Sequence, residues 1–150
     1  FFMQNFEMYQ AEDIRDRNRI FMPSGNGKAP FIHTRDIGEV AAEVLKDPSA
    51  YNGSTLYLTG PEAMDHYQAA KIFSRVLDKN IIYEAPDNDT YRVQLKERGF
   101  SDEYIDAMIA VFGKIKRRKV MNPTDTVKNI LGREPLTLAE YVQENREVFS

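Results

Sequence analysis

The chain has 150 residues, 42% of them hydrophobic and 29% charged, with a net charge of -3. That balance suits one folded domain with a real core and excludes a disordered tail. The acidic charge excludes global attraction to nucleic acid or anionic lipid, so neither partner is expected without a local basic patch. No cysteine is present, which excludes disulfides, a thiolate nucleophile and Cys-bound zinc, and fits the cytoplasm. No apolar run approaches the roughly 18 residues of a membrane span, and the first residues lack the order of a secretory signal.

Taken along the chain, Phe2, Met3, Phe6 and Tyr9 lie at helical spacing, and the charged stretch from Ala11 to Arg19 reads as a solvated helix end or loop. Phe1, Phe2 and Met3 open the chain inside an apolar stretch, so a truncated N-terminus is expected. Ile20 to Met22 reads as a strand, Pro23 to Lys28 as a tight turn, and Ala29 to Thr34 as a second extended segment, together a strand, turn, strand unit. Asp36 is placed to cap the helix formed by Ile37, Val40, Ala41, Val44 and Leu45, which Pro48 ends. Thr55 to Leu58 reads as a short strand, closed by Gly60-Pro61. Asp65 caps a helix burying Ala69, Ala70, Phe73, Val76 and Leu77, and Ile81 to Tyr83 reads as one more strand. Past Pro86 only helices are expected: Asp89 to Arg98, Asp102 to Lys116 capped by Ser101, Asp125 to Leu131 ended by Gly132, and Leu138 to Phe149 behind a Thr137/Glu140 capping box. A soft boundary near Asp87 therefore separates an αβ-alternating front, residues 1–86, from a helical back, residues 87–150.

Several patterns bear on chemistry. The opening Phe1-Phe2-Met3-Gln4-Asn5-Phe6 sets apolar groups around two amides, which suits a pocket wall holding one polar group, and equally an ordinary helix end. Tyr67 and Lys71 match a Tyr-x-x-x-Lys spacing that puts an acid and a lysine on one helical face, but the pair follows a Gly-Pro turn and reads better as a packed tyrosine beside a solvated lysine. His33 ends an extended segment, where a side chain can reach a ligand crevice or support its neighbours. His66 lies in a first helical turn with no partner at metal spacing, so no metal site is expected. Lys114, Lys116, Arg117, Arg118 and Lys119 form the one dense basic run; they complement a helix C-terminus and offer a contact for an acidic protein partner. Gly25-Asn26-Gly27 precedes a strand instead of opening a helix, and no glycine fingerprint occurs, so this chain alone has no expected dinucleotide cradle.

In their order, Phe2-Met3-Gln4-Asn5, Gly25-Asn26-Gly27-Lys28, Phe31-Ile32-x-x-Arg35-Asp36-Ile37-Gly38, Tyr57-x-Leu-Thr-Gly-Pro61 and the Asn129-Ile130-Leu131-Gly132-Arg133-Glu134-Pro135 tail resemble the second half of NmrA-like proteins, atypical extended short-chain dehydrogenases. The resemblance implies an α/β fold: the C-terminal part of a Rossmann-type NAD(P)-binding fold plus a mostly helical substrate lobe, with the N-terminal nucleotide-binding half missing. It also implies NADP or NAD as cofactor of a full-length parent, with Phe2, Met3 and Asn5 near the nicotinamide end. Phe1, Phe6, His33 and Phe112 are then expected to line the substrate pocket, and Asp36 to cap the helix that returns to the sheet. Two functions follow from the resemblance: reduction of a small apolar or aromatic, quinone-like electrophile, or non-catalytic dinucleotide sensing with a protein partner bound through the basic run. The chain alone is expected to bind no cofactor, to be inactive, and to self-associate through exposed apolar strands.

Overall fold

The computed structural model describes residues 1–117 and 122–150. The chain opens with α1 (Gln4–Arg17), a single helix that runs on through the charged stretch, and turns into β1 (Arg19–Phe21) at Asn18, whose left-handed backbone ends the helix. The charged stretch is not uniformly solvated, because Asp13 and Ile14 are buried. Then come α2 (Thr34–Lys46), a 3-10 turn (Pro48–Tyr51), α3 (His66–Leu77), β2 (Ile82–Glu84), α4 (Asn88–Glu97) and α5 (Asp102–Lys116). The chain closes with α6 (Thr126–Leu131), α7 (Leu138–Glu144) and α8 (Arg146–Phe149).

Among the described residues the one named sheet is the parallel pair of β1 and β2, with Arg19 opposite Ile82, Ile20 opposite Tyr83 and Phe21 opposite Glu84. A parallel pair needs a long crossover, which α2 and α3 supply. Two expected strands do not form as such. The segment from Ala29 does not return along β1: Ala29 bridges Met64 and Ile32 bridges Phe2, because Pro23 and Pro30 lack the N–H groups a hairpin ladder requires. Thr55 to Leu58 pairs with no strand; instead Thr124 donates its hydroxyl to the Tyr57 carbonyl at 2.7 Å, and Thr59 Oγ1 accepts from the Thr124 N–H at 2.8 Å.

The caps at Asp65, Ser101 and Thr137 form as local chemistry dictates, Asp65 and Thr137 each within a reciprocal capping box. Gly132 ends α6 with φ 67°. The cap of α2 differs from expectation. His33 holds that position and accepts the Arg35 N–H through its ring, while Asp36 sits one turn inside. The Asp36 carboxylate is completely buried, pairs with the Arg133 guanidinium at 2.8 Å and accepts the Leu136 N–H at 2.9 Å, so it ties α2 to the loop before α7.

One apolar core joins both sides of Asp87, from Met3, Phe6, Ile20 and Phe73 to Tyr91, Ile105, Tyr141 and Phe149. A smaller cluster of Ile32, Val40 and Val127 seals α2 against α6.

Candidate functional site

A cavity of about 840 Å³ lies between α1, α4 and α5. Its deeper wall is Phe6, Phe21, Phe31, His66, Tyr91 and Ile115, all buried, and its rim is Phe2, Met8, Tyr9 and Phe100, all exposed. Aromatic contacts stiffen this wall. Phe6 lies 5.4 Å from Phe31 and 5.1 Å from Phe73; Tyr91 stacks on Phe21 at 6.0 Å and meets Phe112 edge-on at the same distance. The lining also includes the charged residues Glu7, Glu12, Arg15, Asp16 and Arg98, and a chamber of this volume with an aromatic inner wall is the size of a small-molecule site.

The expected site residues divide. Phe1, Phe2, Asn5, Phe6 and Phe112 all line the cavity. Met3 is buried in the core, with 1% exposure and its N–H bonded to the Ile32 carbonyl, and is not among the residues that line the cavity. His33 lies off the cavity wall, held among Gln4, Arg35 N–H and Tyr141, with Glu144 4.0 Å away. Burial and the Arg35 charge keep its pKa below the ordinary histidine value against the pull of Glu144. Lys114, Lys116 and Arg117 are exposed at the end of α5, with the Lys116 stem passing over Gly25; Arg118 and Lys119 lie outside the described residues. Tyr67 packs edge-on against Tyr83 at 4.7 Å, as a structural tyrosine would.

Two glycines are enclosed by backbone. At Gly27 a Cβ would fall 2.0 Å from the Ile115 carbonyl oxygen, and at Gly60 it would fall 1.7 Å from that of Phe31. Both glycines are there for close backbone approach within the fold. At the cavity edge Phe2 is exposed and the Asn5 amide half-buried. Among the described residues no cluster of His, Asp and Glu stands close enough to hold a metal, and no helix is long and apolar enough to cross a membrane.

Sequence reasoning missed a polar feature of the deeper wall. His66, read as an isolated histidine, is 2% exposed and joined through Nδ1 to Ser24 Oγ at 2.7 Å; Ser24 Oγ lies 2.9 Å from the Tyr83 hydroxyl. Burial pushes its pKa down to about 3, so the ring is neutral at any physiological pH. The partners come from residues 42 and 17 positions away, which no local pattern reveals.

Solved structures share this arrangement of strands and helices. An NADPH-dependent quinone oxidoreductase from Escherichia coli, in complex with NADPH, superposes with a TM-score of 0.87 at 20% identity, over 97% of this chain and 51% of that one. The triphenylmethane reductase of Citrobacter sp. superposes at 0.84 with 16% identity, over 96% of this chain and 50% of that one. The chain belongs to the NmrA-like family, which it matches over residues 1–142. It is 30% identical over 149 residues to an NAD(P)H azoreductase of Xenophilus azovorans and 32% identical over 153 residues to agroclavine dehydrogenase of Claviceps fusiformis, in each case across 99% of this chain. It spans about half the length of these relatives, 51% and 52%.

Proposed function

We propose that the chain forms the substrate pocket of an NAD(P)H-dependent oxidoreductase acting on a small apolar or aromatic electrophile. The observation that carries this reading is the aromatic cavity, which brings Phe1, Phe2, Asn5, Phe6 and Phe112 to one chamber. Relatives named as azo, quinone and triphenylmethane reductases support it. Hydride is what the dinucleotide supplies when bound. Phe2 and the Asn5 amide form the edge nearest the nicotinamide, the amide offering both a donor and an acceptor to a carboxamide. Deeper in, Phe6, Phe31, Tyr91 and Phe112 hold a flat acceptor and exclude water from it. On this reading the dinucleotide phosphates are held by residues outside these 150, and the chain on its own turns over no substrate.

The test is NADPH oxidation by the full-length parent with a panel of quinones, azo dyes, triphenylmethane dyes and enals. Acceptor-dependent oxidation with at least one aromatic member is the expected result. NADPH binding with no oxidation by any of them would overturn the reductase reading in favour of a dinucleotide sensor.

A further inference from the structure

The His66, Ser24 and Tyr83 chain at the cavity wall has its protons fixed by counting. The Tyr83 hydroxyl has one proton and donates it to the Met22 carbonyl at 2.9 Å. The 2.9 Å contact between Tyr83 and Ser24 must then use the Ser24 proton, with the phenol oxygen as acceptor. Ser24 has no second proton, so the 2.7 Å contact to His66 requires that Nδ1 carry one and donate it. All three groups are buried, Ser24 completely, so water does not substitute for any link. The opposite tautomer would break the Tyr83 to Met22 bond.

With its proton on Nδ1, the neutral His66 ring has a bare lone pair on Nε2. The ring lines the cavity, edge-on to Phe6 and to Phe31, with ring centroids 6.1 and 5.4 Å away, and among the described residues no protein group is hydrogen-bonded to Nε2. We infer that His66 Nε2 is a hydrogen-bond acceptor for the bound ligand, so that the cavity selects flat aromatic molecules bearing one O–H or N–H donor over isosteres that offer only acceptors. A carbonyl oxygen placed there meets a lone pair and stays unpaired, whereas a phenol or an aryl N–H completes the chain. This deepens the reductase reading by assigning substrate class: it favours donor-bearing acceptors such as hydroxy- or amino-substituted aromatics over simple quinones.

Binding to the 150-residue chain tests it without turnover, using 2-naphthol and 2-acetylnaphthalene as probes. The naphthol should bind about tenfold more tightly, the size of one hydrogen bond set against an unpaired group. Nitrogen-15 NMR of the histidines should place the His66 proton on Nδ1. In Tyr83→Phe the Ser24 proton is released to face His66, so the proton should move to Nε2 and the preference for naphthol should vanish or reverse. In His66→Phe both probes should bind within about twofold of each other. A wild-type proton on Nε2, or equal binding of the two probes, overturns the inference while leaving the cavity intact as a site; binding of neither probe overturns both.

Discussion

Asp13 is a buried carboxylate ringed by guanidinium groups: Arg17 from its own helix, Arg19 from β1 at 2.9 Å, and Arg98 from the end of α4. Burial by itself would raise its pKa, but the hydrogen bonds and charges of Arg98 and Arg19 outweigh that and hold the carboxyl below its ordinary value of 3.8. Because the folded pKa is the lower one, the stabilisation is complete above the unfolded value and is lost as pH falls through the folded one. Asp13→Asn should therefore lower stability by about 3 kcal/mol at neutral pH, the usual cost of breaking a buried ion pair, and should weaken the loss of stability below about pH 4. Urea unfolding at pH 7 and pH 3 measures both, and an unchanged midpoint at pH 7 would show that the guanidinium ring contributes nothing. Since Arg98 also lines the cavity, the same cluster anchors one end of its wall.

At the scale of elements, the position of α5 depends on Gly27. The Ile115 carbonyl occupies the space a side chain would need, which seats the helix against the turn and thereby sets where Phe112 stands. Gly27→Ala should cost about 3 kcal/mol as an overpacked contact, whereas Gly38→Ala, at a helical glycine with nothing within 4 Å, should gain up to about 1 kcal/mol from helix propensity. Thermal unfolding of the two variants should move in opposite directions. Elements of this kind were readable to the extent that their determinants are local. The helices α2, α3 and α5 follow from apolar spacing, and the caps at Asp65, Ser101 and Thr137 involve residues three apart. Asp36 looked like a cap because its true partners, Arg133 and Leu136, lie about a hundred positions on. The aromatic opening pointed to the cavity wall from its composition, yet the Ser24, His66 and Tyr83 chain was invisible, because each member alone is an ordinary buried polar residue. Thr55 to Leu58 has strand composition, but its backbone is met by the Thr124 side chain instead of a strand.

For the molecule as a whole, the core and the cavity are built from the same residues. Phe6 packs on Phe31 and Phe73 and also lines the chamber, so core and wall share side chains. The chain belongs to the NmrA-like family and spans about half the length of the relatives it matches. What this chain contributes on our account is the acceptor's chamber, and the most direct test separates acceptor from cofactor. Phe112→Arg places a charge at a half-buried cavity position remote in sequence from Phe2 and Asn5. In the full-length parent it should raise KM for an aromatic acceptor by at least about tenfold, the worth of one lost aromatic contact surface, and leave KM for NADPH within about twofold. An unchanged acceptor KM, or a rise confined to NADPH, would contradict the assignment of this cavity as the substrate pocket.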